Sequence, residues 1–307
     1  MKVLIAYDGS KSAKAVLTDV ARAGLPPEGE AVVFSVADIW PPSESAPDPR
    51  LVRAVPSLAR AHARAKKILA AAGESARRGA AAVQASLPGW RVRAESAADS
   101  PAWAIFKKAR DLKADLVVVG SQGRSVLARW TLGSVSQKVL MECPASVRVS
   151  RPPQRTGGPL RILLAVDGSQ DAETAVDRVL KRTWPAGTLV RVMAVADDRL
   201  SGSVLKVPAL ARWARPTDTD PRAWLGRLVE SVENRLSQKG LAASGRVRPG
   251  DPKKVLLDKA VRWRADMVFL GARGLTRWER TFLGSVSTSL AVHAPCSVEV
   301  VRRFPGV

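Results

Sequence analysis

The stretch DLVVVGSQG at residues 115–123 decides how this chain folds, and a close copy, DMVFLGARG, stands at residues 266–274. Each copy places an aspartate before a continuous apolar run and ends in two glycines separated by two residues. An apolar run bounded by glycine is typical of a central strand in a parallel sheet, because such a strand is covered on both faces. Two copies in one chain predict a duplicated domain.

Other landmarks measure the duplication. The sequence Asp-Gly-Ser at residues 8–10 returns at 167–169, an offset of 159, whereas the glycine stretches are offset by 151. The second copy has therefore lost eight residues between these landmarks, and both ends stay in register. We expect a first domain over residues 1–150, a linker rich in proline and glycine over 151–159, and a second domain over 160–307.

Each copy alternates short β-branched runs with helical patterns, which is typical of βαβ units and a parallel sheet in an α/β fold. A long helix is predicted over about residues 51–87, and its counterpart over about 221–239 is shorter, so we place the lost residues there. The last strand of each copy alternates apolar and polar residues as sheet edges do. The strands of the first copy are predicted near residues 2–7, 31–37, 90–95, 115–120 and 145–150.

Nine residues after each glycine stretch comes a Gly-Ser pair, Gly133-Ser134 in the first copy and Gly284-Ser285 in the second. In an open parallel sheet, ligands bind beyond the carboxyl ends of the strands. A glycine there would let a ligand approach the main chain, while N–H groups at the start of the next helix, with nearby serine hydroxyls, would favour phosphate. A structural interpretation stays open: each serine, and the aspartate of each Asp-Gly-Ser turn, could simply cap a helix.

These motifs resemble those of the universal stress proteins, whose nucleotide-binding members carry Gly-x2-Gly-x9-Gly-Ser/Thr after the fourth strand and an aspartate at the end of the first. The resemblance covers nearly the whole chain and points to a tandem member of the ATP-binding branch. It implies two flavodoxin-like, or adenine-nucleotide α-hydrolase-like, domains, each a five-stranded parallel sheet of order 3-2-1-4-5 sandwiched by helices. It also implies that the last strands of the two domains meet in an intramolecular pseudo-dimer.

The resemblance further implies one ATP per domain, with Mg²⁺ or Mn²⁺ carried by the triphosphate. The aspartates would meet the adenosine end, because a carboxylate repels phosphate. We assign no catalytic residue and no residue that holds a metal by itself. We expect the nucleotide-binding residues to be Asp8, Val36, Gly120, Gly123, Arg124, Gly133, Ser134, Val135 and Ser136 in the first copy, and Asp167, Val195, Gly271, Gly274, Gly284, Ser285, Val286 and Ser287 in the second.

Two departures from the family pattern make the copies unequal. Tyr7 stands before Asp8 where many relatives have a small residue or proline, so its ring would crowd the adenine pocket. Arg124 offers a cation to phosphate, whereas the equivalent residue of the second copy is Leu275, although Arg273 and Arg277 are close by in sequence. We therefore expect unequal affinities, with the first site the less secure.

The composition bounds the other function classes. A net charge of +21 would attract polyanions, but the basic residues are scattered through helical stretches, which favours a solvated surface. The two cysteines, Cys143 and Cys296, indicate small buried residues rather than a disulfide framework. The tryptophans, among them Trp103 and Trp263, are expected in the core or at an interface. The short apolar N-terminal run predicts neither a signal peptide nor a membrane span, so we expect a cytoplasmic protein with no membrane partner.

We expect an ATP-binding stress-response regulator or chaperone-like protein with at most slow hydrolysis. The chain has no Gly-x4-Gly-Lys-Ser/Thr loop, and its two histidines, His62 and His293, suggest no general base. Two alternatives stay open. One is a basic nucleic-acid- or polyanion-binding protein with structural glycine loops; the other is a slow ATPase or self-phosphorylating enzyme in which Ser134 or Ser285 accepts phosphate. Association into a homodimer also stays open.

Overall fold

The computed structural model describes residues 1–39, 56–122, 132–197, 213, 220, 223–274 and 283–303, which form ten strands and eight helices. None of the described helices has the length and apolar character that crossing a membrane requires. The first half contains β1 (Lys2–Ala6), α1 (Lys11–Ala21), β2 (Gly29–Ala37), α2 (Pro56–Ser86), β3 (Trp90–Ala98), α3 (Pro101–Leu112), β4 (Leu116–Gly120), α4 (Ser134–Glu142) and β5 (Ser146–Ser150). The second half contains β6 (Arg161–Ala165), α5 (Gln170–Leu180), β7 (Leu189–Ala196), α6 (Ala223–Gln238), β8 (Ala242–Pro249), α7 (Pro252–Arg262), β9 (Met267–Gly271), α8 (Ser285–His293) and β10 (Ser297–Val301).

All ten strands belong to one continuous sheet, in the order β3-β2-β1-β4-β5-β10-β9-β6-β7-β8. Within each half the paired strands are parallel and follow the order 3-2-1-4-5, which confirms the predicted fold. The halves join through β5 and β10, which pair antiparallel with Val149 opposite Val298. The last strands therefore meet as expected, and the pairing covers two edges that would otherwise be open.

The second helix of each half accounts for the difference in length. Helix α2 has 31 residues and α6 has 16, so the helix is shorter in the second copy, as predicted. Residues 40–55, and most of residues 198–222, precede these helices in the sequence and lie outside the described residues.

Apolar residues pack differently on the two faces of the sheet. On the face covered by α3, α4, α7 and α8, one cluster continues across both halves, through residues such as Val147 and Val300. On the other face each half has its own cluster, under α1 and α2 or under α5 and α6. Two residues alternate with these valines, Arg148 between Val147 and Val149 and Glu299 between Val298 and Val300. They therefore point to the opposite face of the sheet, where the halves meet.

A buried ion cluster occupies that meeting place. Arg148 of β5 donates to both carboxylate oxygens of Asp19 at 2.7 Å and to Glu299 of β10 at 3.2 Å. Arg182 also contacts Glu299, and both Arg148 and Glu299 are fully buried. Burial disfavours the charge on Arg148, but the Asp19 and Glu299 carboxylates more than offset it and raise the pKa of the guanidinium. Two cations and two carboxylates thus join the halves as a neutral set.

The two cysteines are buried, as expected. Cys143 and Cys296 are each 1% exposed. Burial raises the pKa of both thiols, that of Cys296 to about 12. Both side chains are therefore protonated near neutral pH and behave as small apolar residues.

Trp103, which was expected in the core or at an interface, does not lie in the core. Its side chain is 55% exposed and stacks on Phe106 with ring centroids 5.6 Å apart. The buried stripe of α3 consists of Ala104, Ile105 and Ala109, so Trp103 lies just outside the apolar face.

Candidate functional site

A cavity of about 240 Å³ opens in the second half, beyond the carboxyl ends of β6, β7 and β9. Strand β6 lies between β7 and β9, so the cavity stands where the strand order reverses, the usual ligand position in such a sheet. Ala165, Met193, Leu256 and Leu270 give it an apolar wall. The volume is slightly below the range of roughly 300–1,000 Å³ that is usual for small-molecule sites.

Every residue predicted for the second copy lines this cavity. Four separate segments supply them: the ends of β6 and β7, the glycine stretch after β9, and the start of α8. They are Asp167, Val195, Gly271, Gly274, Gly284, Ser285, Val286 and Ser287. The structure thus brings these residues together, while their binding of a nucleotide stays a prediction.

The Asp-Gly-Ser turn positions the first of these residues. Asp167 accepts a hydrogen bond from the N–H of Ser169 at 3.0 Å, and Ser169 caps α5 by accepting from Ala172 at 3.2 Å. Gly168, with a φ of +82°, lets the chain turn between them. The first half repeats both bonds at residues 8–13. The serine is therefore the cap, and the aspartate stabilises the turn while still lining the cavity.

Helix α8 directs its first turn into the cavity. Its N-cap is Gly284, and Gly133 is the N-cap of α4, so neither cap has a side chain to bond the first N–H groups. The interpretation of Ser134 and Ser285 as caps is wrong, because each is the first helical residue. The N–H groups of residues 285–287 have no acceptor within the helix. At a helix N-terminus such groups, together with the dipole, favour an anion.

The buried serines of the motif have a structural role that the sequence did not indicate. The Ser287 hydroxyl donates to the Gly271 carbonyl at 2.8 Å, and the Ser136 hydroxyl donates to the Gly120 carbonyl at 2.6 Å. Each bond ties the start of a helix to the end of the neighbouring central strand. The expectation that the Ser136 hydroxyl serves phosphate therefore needs correction; its backbone N–H is the group left for a ligand.

The glycines of the cavity also have a structural role that the sequence did not indicate. A Cβ on Gly271 would lie 2.6 Å from the Ala172 nitrogen, so the missing side chain admits the first turn of α5. A Cβ on Gly274 would lie 2.8 Å from Oδ2 of Asp167. Both glycines thus allow close approach of protein groups that build the cavity wall, while the expectation that they also let a ligand approach the main chain stays a prediction.

Three charged residues of the cavity were missed by the sequence analysis: Lys253, Asp197 and Asp251. A fourth, Arg273, lies in the glycine stretch and was noted there as a nearby cation. Arg273 donates to Asp171 at 2.9 Å, and this hydrogen bond raises the pKa of the guanidinium. Asp251 caps α7, whose first residue is a proline. An aspartate followed by proline is a typical helix start. Because this pair follows β8, the pattern could have been used to predict that Asp251 lies at the carboxyl edge of the sheet.

The predicted residues of the first half occupy equivalent places. Asp8 follows β1, Val36 and Gly120 lie at the ends of β2 and β4, and Gly133, Ser134, Val135 and Ser136 begin α4. Gly123 and Arg124 lie outside the described residues. The cations of the second cavity are not repeated at the described equivalents, because Gln122 replaces Arg273 and Ala102 replaces Lys253.

Tyr7 does not crowd the first site, so that expectation is wrong. Its side chain packs with Val33 and against Gly79 under α1 and α2. That face of the sheet is opposite to the one on which the second half has its cavity. A different residue distinguishes the two sites: the buried Phe34 stands where Met193 lines the second cavity.

Comparison with known proteins agrees with this geometry. The sequence profile of the Universal stress protein family matches residues 1–151 and 160–302. A universal stress protein of Synechocystis sp. is 39% identical over 85 residues, 28% of this chain and 53% of that protein. A universal stress protein A-like protein of Arabidopsis thaliana is 34% identical over 76 residues, 25% of this chain and 43% of that protein. The chain therefore spans about half the length of these curated relatives.

A solved structure covers the whole architecture. The crystal structure of a universal stress protein from Archaeoglobus fulgidus superposes with a TM-score of 0.65 and covers 98% of both chains. Its sequence identity is 21%, so the likeness concerns the fold.

Proposed function

We propose, from the premise that this chain belongs to the universal stress protein family, that each half binds one ATP. On this proposal the protein is a nucleotide-dependent stress-response regulator or chaperone-like protein with at most slow hydrolysis. The observation that carries the proposal is that the first turn of α8, residues 285–287, lines the same cavity as Asp167.

The cavity suggests how the nucleotide lies. Its apolar wall, with Met193 and Leu256, suits the adenine ring, and Asp167 suits a ribose hydroxyl or an amino group as an acceptor. The phosphates would then lie at the N-terminus of α8, within reach of Arg273. Charge thus supports one orientation, with phosphate at the cationic end and adenosine near the carboxylate.

The donor atoms suit a metal that the triphosphate carries. In the part of the chain that the structure describes, no three His, Cys, Asp or Glu side chains are grouped to hold a cation. Asp167 and Asp251 line the cavity, but both already accept hydrogen bonds from backbone N–H groups. Mg²⁺ or Mn²⁺ would therefore be held mainly by phosphate oxygens and water, where it neutralises the phosphates.

Purified protein should carry adenine nucleotide and should be stabilised by more. We expect native mass spectrometry of freshly purified protein to detect bound nucleotide. After this nucleotide is removed, ATP with Mg²⁺ should raise Tm by several degrees. A ligand at a hundred times its Kd stabilises the folded protein against unfolding by about 2.7 kcal/mol. CTP with Mg²⁺, which has the same phosphates without adenine, is the control and should shift Tm much less. The absence of both bound nucleotide and a Tm shift at millimolar ATP would refute the proposal.

A further inference from the structure

One face of the second half carries four cations that form no ion pair within the described part of the chain. We call it the basic face and define it by Arg191 of β7, Arg246 and Arg248 of β8, and Lys259 of α7. Arg246 and Arg248 pair in register with Met193 and Val195, which line the nucleotide cavity, so their side chains lie on the same side of the sheet as α7. Helix α6 packs on the opposite side. Arg246 and Arg248 are exposed, and Arg191 and Lys259 are half-buried.

The four cations lie close enough to repel one another. Burial and the neighbouring Arg246 lower the pKa of Arg191; burial, Arg191 and Arg248 lower the pKa of Lys259. Among the described residues none of the four forms an ion pair, and the nearby Asp258 is bonded to Arg262 at 2.6 Å.

Arg191 shows the lack of a counter-ion most directly. Its guanidinium lies 4.4 Å from the centroid of the Trp263 ring, which fixes it by a cation–π contact. Its Nε is buried and has no hydrogen-bond partner within the described part of the chain. A buried donor without an acceptor costs about 1–3 kcal/mol, so within the described residues Arg191 is held by the ring rather than by a carboxylate.

The first half shows that the fold does not require this charge. At the equivalent positions it has Val32, Glu95, Ala97 and Lys108, and Lys108 forms an ion pair with Glu95. Arg91, further along the same strand, is paired with Glu30 at 3.3 Å. Equivalent elements are thus largely neutralised in one half and strongly positive in the other.

We propose that the basic face binds a linear chain of phosphate groups, of the kind that single-stranded nucleic acid or inorganic polyphosphate provides. Residues two apart on a strand lie on one face about 6.7 Å apart, so Arg246 and Arg248 form the row, with Arg191 and Lys259 beside it. Arginine is suited to phosphate because its planar group donates two hydrogen bonds at once. This site adjoins the nucleotide cavity but does not depend on it.

The test compares two triple variants that lose equal charge. One is Arg246→Gln, Arg248→Gln and Lys259→Gln; the control is Arg91→Gln, Arg93→Gln and Lys108→Gln in the first half. Binding of a fluorescent 20-nucleotide oligo(dT) is followed by anisotropy at about 50 mM salt, where electrostatic binding is strong. We expect the first variant to bind at least tenfold more weakly and its slope of log K against log salt to fall by about 2, at roughly 0.7 per lost phosphate contact. The control should change less than threefold.

Further measurements separate the sources and the sites. Inorganic polyphosphate is measured in parallel, and binding of either polymer through the basic face supports the proposal. Equal loss in both variants, no binding of either polymer, or displacement of the polymer by saturating ATP would overturn it. The first variant should keep the Tm and the ATP binding of the parent protein. An unchanged Tm shows that the variant is folded, and separate measurement of ATP binding distinguishes failure of the polymer proposal from failure of the nucleotide proposal.

Discussion

Replacing Gly274 by aspartate is expected to abolish ATP binding in the second half and to leave the first half unchanged. The new Cβ would lie 2.8 Å from Oδ2 of Asp167, and the added carboxylate would stand beside the existing one, in the loop proposed to face phosphate. Both contacts oppose binding, so we expect the affinity of this site to fall about a hundredfold or more, equivalent to at least about 2.7 kcal/mol. Isothermal titration calorimetry with ATP and Mg²⁺ measures it.

The chain provides a matched control for this variant. Gly123→Asp changes the equivalent glycine of the first copy and should remove the other site. Gly274→Ala keeps most of the steric contact without the charge, so it should lose less affinity than Gly274→Asp. If Gly274→Asp keeps both sites, the loop of Gly274 does not face phosphate as proposed. If it loses both while its Tm shows that it is folded, the two sites are not independent.

Replacing Arg148 by leucine is expected to cost about 3–5 kcal/mol in the free energy of unfolding, because it leaves buried carboxylates without their cation. Asp19 is affected most: it accepts two bonds from Arg148, and the Ser150 hydroxyl at 2.6 Å would remain as a neutral donor. Glu299 would keep Arg182. Urea unfolding followed by circular dichroism gives the loss.

An exposed ion pair is the comparison. Arg262→Leu removes a pair with Asp258 at 2.6 Å whose side chains are largely exposed, and such pairs contribute less than about 1 kcal/mol. A second comparison is Arg148→Leu with Asp19→Leu, which removes a charge of each sign and should recover part of the loss. A cost of Arg148→Leu no larger than that of Arg262→Leu would show that the buried cluster does not stabilise the joined halves.

Local patterns predicted the parts of the structure that are local. The apolar run at 116–119 forms β4, and the Gly-Ser pair marks the start of a helix, because strand burial and helix initiation depend on adjacent residues. The alignment of the two copies then predicted which residues of the second copy lie together, because equivalent residues occupy equivalent strand ends. All eight predicted residues of that copy share one cavity for this reason.

What the sequence did not reveal depends on contacts between distant segments. Arg148 and Glu299 alternate with valines and read as the solvent face of two sheet edges, yet the joining of β5 and β10 buries both. Tyr7 was expected in the pocket because its position in the chain is adjacent to Asp8, but strand alternation turns its ring to the other face. The contact of Gly271 with the first turn of α5 was likewise hidden, because the two are about a hundred residues apart in sequence.

Nucleotide stoichiometry tests the central claim most directly. Calorimetric titration of the full, nucleotide-free chain with ATP and Mg²⁺ should give two sites per chain, unequal in affinity because Arg273 and Lys253 of the second cavity have no cationic equivalents at Gln122 and Ala102. Two sites, of which Gly274→Asp removes one, is the predicted result. A single site in the parent protein would contradict one nucleotide per half, and no detectable binding at millimolar ATP would contradict nucleotide binding altogether.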